Sequence, residues 1–339
     1  GQQWTDSFCH PGQPATGDCL FGELQLIILT SLQSFFRKSS MAIDLAVVPV
    51  AGQGTRLLPS TKSQPKEMLP VGRKPVVQYV VEELANSGIH RLMFITGPGK
   101  ASIENHFDTN WELITFLRET GREELLEELD FERQSLEYFY TRQRRQLGLG
   151  HAVLCARPLV DNQPFVVALG DSIIGVNAQS DIVARMVERF EAENADVVVA
   201  FEEVPIQDVV RYGIASPGGD GQAGEVFELA DLVEKPSVDE APSQLAVAAR
   251  YVLSPRIFDA LENTEPGKGG EIQLTDAIRS VLADGGRGIG IRLQPDERRF
   301  DIGNFGSYFR AFTEFALADP RYGEGLREDL RDLLDGGTS

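Results

Sequence analysis

Residues 45–75, LAVVPVAGQGTRLLPSTKSQPKEMLPVGRKP, constrain this chain more than any other stretch. Residues 45–51 are a short, valine-rich apolar run without polar alternation, the pattern of a strand buried on both faces. That run leads straight into Gly52-Gln53-Gly54-Thr55-Arg56. Glycine at 52 and 54 lets the backbone turn tightly and approach a ligand where a Cβ would collide. The amides of this loop and the Thr55 hydroxyl can then cradle phosphate oxygens. Residues 51–75 hold five basic side chains (Arg56, Lys62, Lys66, Arg73, Lys74) against one acid, Glu67, in a chain of net charge −19. A cationic loop in so acidic a chain points to a phosphate-bearing ligand.

Two common phosphate loops are excluded. The dinucleotide pattern G-x-G-x-x-G fails because Leu57 stands at the third glycine. The P-loop fails because Gly99-Lys100 is followed by Ala101, and Gly267-Lys268 by Gly269, where Ser or Thr is required. A glycine turn with a solvated basic face is the plain alternative.

At 339 residues the chain is long enough for one large α/β domain or two smaller ones. Its negative balance argues against nucleic acid or an anionic membrane as partner, since both select basic surfaces. Three cysteines provide no disulfide framework and fit a reducing cytoplasm. His151 and Cys155 share a helical face, as a metal pair or as a small buried side chain beside a structural histidine.

Residues 1–40 read as an extension outside the fold, because globular patterning starts just after Met41. Residues 24–36, LQLIILTSLQSFF, are apolar but interrupted by Gln25, Thr30, Ser31, Gln33 and Ser34. They fall short of the ~20 apolar residues of a membrane span. With no basic region before them and no small-residue cleavage site after, they do not match a signal peptide. The segment is expected to be dispensable or to form an amphipathic interaction helix.

From residue 41 the spacing predicts one domain to residue 339. Helix 75–87 has Pro75 at its start and Gly88 at its end. Strand 91–96 follows, then short helices over 100–107, 111–118 and 123–129, and strand 136–141. Helix 150–157, buried strand 165–169, helix 180–194 and strand 196–203 continue the alternation, which predicts a mixed, mainly parallel sheet flanked by helices. After Tyr212, glycine-rich turns at 217–221 precede separate short strands at 224–229, 232–235 and 245–253. Helices 255–261 and 271–283, strand 288–293, residues 299–302, helix 304–318 and an amphipathic end at 325–334 complete the pattern.

The string AGQGTRLLP followed by PKEMLPVGRKP resembles the opening signature of the sugar-nucleotidyltransferases. SIENHFDT (102–109), GLGHAVLCA (148–156), LVEKP (232–236), LAVAARYVLSP (245–255) and GGEIQLTDAI (269–278) extend the resemblance over residues 41–339. They are most similar to the bacterial UTP–glucose-1-phosphate uridylyltransferases. The resemblance implies a Rossmann-like, GT-A-like α/β fold. It also implies Mg2+-assisted, in-line attack of glucose 1-phosphate on the α-phosphorus of UTP, giving UDP-glucose and pyrophosphate, in a homodimer or homotetramer. The thymidylyltransferases share the glycine loop and aspartates, and a non-catalytic sugar-nucleotide-binding paralogue is the other alternative.

The resemblance also implies roles for particular residues. Arg56, Lys66, Asp171 and Lys235 would be catalytic. Ala51, Gly52, Gly54, Thr55, Arg56, Glu67, Gln143 and Gly148 would bind the nucleotide, Gln143 by donating to and accepting from the uracil edge. Gly213, Glu234 and Lys235 would bind the sugar phosphate. Asp171 and Asp301 would hold Mg2+. Asp171 follows a buried strand, where such sheets bind ligands, and the plain alternative is an Asp capping a turn before Ser172. Asp301 reads as well as an N-cap-like residue before helix 304–318. Adjacent strand residues face opposite ways, so Glu234 and Lys235 need a twist or bulge to share a site.

Overall fold

The structure, a computed structural model, describes residues 43–133, 135–219 and 223–336, and the expectation for residues 1–40 lies outside these. In chain order the strands are β1 (Leu45–Pro49), β2 (Pro70–Val71), β3 (Lys74–Pro75), β4 (Arg91–Thr96), β5 (Glu137–Arg142), β6 (Phe165–Ala168) and β7 (Ser172–Ile174). Then come β8 (Val197–Glu203), β9 (Gly213–Pro217), β10 (Val226–Glu234), β11 (Leu245–Leu253), β12 (Gly288–Arg292) and β13 (Arg299–Asp301). The helices are α1 (Val76–Asn86), α2 (Ala101–Phe107), α3 (Trp111–Glu119), α4 (Leu149–Leu154) and α5 (Arg157–Val160). They continue with α6 (Ile182–Glu193), α7 (Arg256–Asn263), α8 (Leu274–Ala283), α9 (Phe305–Ala318) and α10 (Gly323–Leu334).

Nine strands form one mixed sheet in the order β5-β4-β1-β6-β11-β8-β12-β10-β9. Pairing is parallel among β5, β4, β1 and β6, and between β12 and β8. β11 joins these halves by running antiparallel to both β6 and β8. β9 pairs with β10 and also, through Ile214, with Ala246 of β11, so this half of the sheet closes on itself.

β1 is buried on both faces, as its composition requires. Leu45 and Val47 enter one core, with Phe165, Val199 and Phe258, while Ala46 and Val48 enter the other, with Leu84, Phe94 and Ile182. A third core of Leu57, Val71, Tyr79, Ile173, Phe300, Ile302 and Phe315 lies under the glycine loop and the β7–β13 pair. The loop is therefore seated on packed side chains rather than suspended in solvent. Leu57 is its anchor and is fully buried, worth about 1.5–3 kcal/mol of burial.

One sequence expectation changes here. The strands expected at 224–229 and 232–235 are a single strand, β10, with a register shift between Leu229 and Asp231. Asp231 reads as a break because it is polar. In the fold it sits at the bulge, accepts from Leu232 N and pairs with Arg279 of α8 at 3.0 Å. No helix among the described residues is long and apolar enough to cross a membrane.

Candidate active site

The glycine loop turns through Gly54, whose φ of +66° lies in the left-handed region, into a short helical turn, Thr55–Leu57. Thr61 Oγ1 donates to Gly54 O at 2.7 Å and closes the loop. Leu57 points down into the third core, leaving Thr55 and Arg56 exposed above it. A second turn, Lys66–Met68, lays the Lys66 side chain over Gly52, where a Cβ would lie 3.6 Å from Lys66 Cε. The Lys66 ammonium ends in an ion pair with Asp171. Burial disfavours its charge, but Asp171, Glu67 and Asp301 outweigh burial and hold Lys66 above its ordinary pKa.

Asp171 leaves the end of β6 and precedes β7, which pairs antiparallel with β13 so that Ser172 faces Asp301. Asp171 O accepts from Ile302 N at 3.0 Å, fixing the two acidic segments side by side. Gly170, before it, packs so tightly that a Cβ would lie 2.5 Å from Val50 Cγ1. Burial alone would raise Asp171, yet Lys66 outweighs it and keeps this carboxylate below its usual range. Asp301 is raised by burial and then by the Asp171 charge. Two carboxylates thus repel within one partly buried space. The N-cap reading of Asp301 is overturned. Asn304 caps α9, accepting from Ser307 N at 3.1 Å while Ser307 Oγ accepts from Asn304 N. Gly303 lets Arg56 close on this acid, since a Cβ there would lie 2.6 Å from Asp301 Oδ2 and 3.4 Å from Arg56 Nη2.

A cavity of about 320 Å3 opens beside these groups, lined by Ala51, Gly52, Lys66, Gln143, Gly148 and Asp171 among others. A larger cavity of about 530 Å3 lies between β10 and β12 and holds none of the expected site residues. Gln143 Nε2 donates to Gly148 O and to His151 Nδ1, each at 3.0 Å. Burial lowers the His151 pKa, which favours the neutral ring that accepts this bond. Gln143 Nε2 is thereby engaged within the protein. Gly148 has φ +98° and packs where a Cβ would come within 2.7 Å of Ile272 O. Its glycine is demanded by packing of GLGHA against GGEIQ, not only by approach of a ligand. Gln146 reaches across the cavity to donate to Ala51 O at 2.7 Å.

Glu67 also lines this cavity, but its carboxylate is buried and held by Lys100 Nζ at 2.7 Å. The buried pair satisfies the Glu67 charge from within, and that charge also acts on Lys66. His151 and Cys155 lie 3.9 Å apart, with no cluster of three or more metal-ligating side chains among the described residues.

On the other side of the carboxylates, Gly213 of β9 pairs with Glu234 of β10. β10 ends there, and Lys235 takes φ +48° with its N–H donating to Tyr212 O at 2.9 Å. That left-handed turn resolves the facing problem. Lys235 Nζ and Glu234 Oε1 meet at 2.7 Å, and Thr275 Oγ1 donates to Glu234 Oε2 at 3.0 Å. A Cβ on Gly213 would lie 2.8 Å from Thr275 Cγ2, so this glycine lets α8 approach the pair. Sequence reasoning missed Thr275, although it lies within GGEIQLTDAI. It also missed Arg299, which binds Glu202 Nε to Oε1 at 2.6 Å, lies 4.7 Å over the Tyr212 ring and acts on Asp301. Arg299 links the Gly213 side to the aspartates, and its signal was its place two residues before Asp301 in RRFDIGN.

Residues 45–317 match the nucleotidyl transferase family model. Over 289 residues the chain is 44% identical to a UTP–glucose-1-phosphate uridylyltransferase of Bacillus subtilis, covering 85% of this chain and 95% of that protein. The fold matches a UTP-bound UGPase from Acinetobacter baumannii with TM-score 0.78 and 39% identity, over 86% of this chain and 99% of that one. A UDP-glucose pyrophosphorylase complexed with UDP-glucose matches with TM-score 0.72 and 35% identity, over 82% of this chain and all (100%) of the other. The glycine loop, the aspartates and the VEKP corner all fall within the matched span, and the chain belongs to the nucleotidyl transferase family.

Proposed function

We infer that this protein is a UTP–glucose-1-phosphate uridylyltransferase, joining UTP and glucose 1-phosphate into UDP-glucose with release of pyrophosphate. One observation carries the reading. The cationic glycine loop reaches the aspartates through the Lys66–Asp171 ion pair. The Glu234–Lys235 corner reaches them through Tyr212, whose carbonyl accepts from Lys235 N and whose ring lies under Arg299, which acts on Asp301. A nucleotide on the loop and a sugar phosphate at the corner then meet between them. The relatives bound to UTP and UDP-glucose support substrate and product in turn.

A phosphate oxygen of glucose 1-phosphate attacks the α-phosphorus of UTP, the new P–O bond forms, and the bond to the β-phosphate oxygen breaks as pyrophosphate leaves. No covalent enzyme intermediate is needed, so catalysis is positioning and charge neutralisation. Lys66 and Arg56 offset charge on the nucleotide phosphates, and Lys235 holds the sugar phosphate. Glu234 accepts from sugar hydroxyls. Gln143 presents its carbonyl to a base N–H, with Gly148 and Ala51 beside it.

Asp171 and Asp301 fit Mg2+, which takes one or two carboxylates together with phosphate oxygens. The pairing that sets Asp301 opposite Ser172, with Ile302 N donating to Asp171 O, brings the two acidic segments side by side and favours a divalent cation at this point. When bound, Mg2+ would neutralise charge on the transferring phosphate. The same reading puts the enzyme in the cytoplasm as a homodimer or homotetramer. The test is pyrophosphate release with each nucleoside triphosphate and sugar phosphate in turn. UTP with glucose 1-phosphate should lead. Faster turnover of dTTP would replace this reading with a thymidylyltransferase, and no turnover with any pair would leave a binding protein.

A further inference from the structure

β7 and β13 pair with each other in a two-stranded sheet of their own, apart from the nine-stranded sheet. Something must therefore set where this pair, with Asp301 on β13 and Asp171 just before β7, stands relative to that sheet. Arg250 of β11 is completely buried, and so is its partner Glu83 of α1. Arg250 Nε and Nη2 donate to the two Glu83 oxygens at 3.0 and 2.6 Å. Nη2 also donates to Ser172 O at 2.9 Å, and Nη1 to Ala249 O at 3.0 Å. Ser172 is the residue after Asp171 and stands opposite Asp301. One planar group thus ties α1, β11 and β7 together at the residue that follows Asp171.

The backbone is bent to allow it. Ala249 has φ +62°, within the shift of β11 against β8 between Val247 and Tyr251. A left-handed alanine inside a strand is strained, and such strain persists where surrounding structure demands it. Here it turns Ala249 O to accept both from Arg250 and, at 3.1 Å, from Leu169 N, two residues before Asp171. Stability alone does not account for the pair, since apolar residues of similar volume often replace a buried ion pair at no cost. What they cannot supply is a rigid fork that grips a carboxylate and a carbonyl together.

We propose that Arg250 is the positioning residue of the Asp171–Asp301 carboxylate pair, acting through the Ser172 carbonyl. This rests on the reading of those aspartates as the cation site. Two variants separate it from a role in folding. Glu83→Leu/Arg250→Met removes both charges together, and Arg250→Lys keeps the charge but loses the fork. Thermal unfolding follows the fold. Mn2+ titration in the presence of UDP-glucose, read by electron paramagnetic resonance, follows the carboxylates, and kcat and KM for UTP follow turnover. The double variant should melt near wild type, with Mn2+ affinity lower by roughly ten- to hundredfold, kcat reduced alongside, and KM for UTP little changed. Wild-type Mn2+ affinity and kcat in either folded variant overturns the proposal. Failure of both to fold does so too, because the pair would then serve the fold. Asp171→Asn is the control: wild-type Mn2+ binding there overturns the cation reading itself, and the proposal with it.

Discussion

Lys66 and Asp171, 105 positions apart in the chain, close on each other as an ion pair in the wall of the cavity of about 320 Å3. Lys66 arrives on a turn seated over the third core, and Asp171 on the extension of a central strand. Their meeting places a positive point charge and a carboxylate at one spot. In the proposed reaction a phosphate takes the ammonium while a divalent cation takes the acid.

The first prediction concerns that acid. Asp171→Asn keeps the shape and removes the charge, so kcat/KM should fall by ~10²-fold or more, a few kcal/mol of barrier. The melting temperature should hardly move. Chelation with EDTA should abolish wild-type activity and added Mg2+ restore it. A mutant turning over at the wild-type rate in saturating Mg2+ would remove Asp171 from the site.

The two lysines should separate the two substrates. Lys235→Ala should weaken glucose 1-phosphate use while UTP binding changes little, because Lys235 lies with Glu234 on the Gly213 side. Lys66→Ala should damage both catalysis and UTP binding. Each charge-assisted contact is worth roughly 1.5–3 kcal/mol, or about ten- to hundredfold. Calorimetric titration of UTP decides between them, and equal losses in both mutants would put the VEKP corner on the wrong substrate.

Lys100 should matter to stability more than an ordinary lysine. Removing it strands Glu67, whose carboxylate is buried, so Lys100→Met should cost about 3–5 kcal/mol in urea unfolding. Adding Glu67→Gln should recover a large part of that loss, since the uncompensated charge is gone. Equal stability of single and double mutants would show that the pair does not carry this energy.

Gly148→Ala tests how closely the base wall is packed. The new Cβ would sit 2.7 Å from Ile272 O at a backbone φ of +98°, a conformation costing on the order of 1–3 kcal/mol in a non-glycine residue. The segment must shift, and Gln143, which donates to Gly148 O, must shift with it. Lower melting temperature together with weaker UTP binding is expected. Unchanged UTP affinity would mean that Gln143 does not depend on this turn.

Much of the frame was legible in the residues themselves. Valine-rich, non-alternating β1 could only be stable with both faces covered, and the turn into Gly54 needed a residue tolerant of φ +66°. The helix after Pro75 and its end at Gly88 followed from local backbone chemistry. Such features depend on neighbours a few positions away, which a sequence displays directly. Asp171, Asp301, Glu234 and Lys235 were named through resemblance, and their spacing alone assigned no partner to any of them.

Partners were decided by the tertiary structure. Nothing local pairs Glu67 with Lys100, and of the two readings open for Asp301, metal ligand or cap, the cap falls to Asn304. Glu234 and Lys235 share a side because Lys235 takes a left-handed turn where β10 ends beside Tyr212, a conformation uncommon for a residue with a side chain. Arg250 and Glu83 lie 167 positions apart, and only the order β1-β6-β11 with α1 packed across it makes them neighbours. A buried charge is tolerable only where its counter-charge and hydrogen bonds converge, and that convergence is a property of packed strands, not of any stretch of chain.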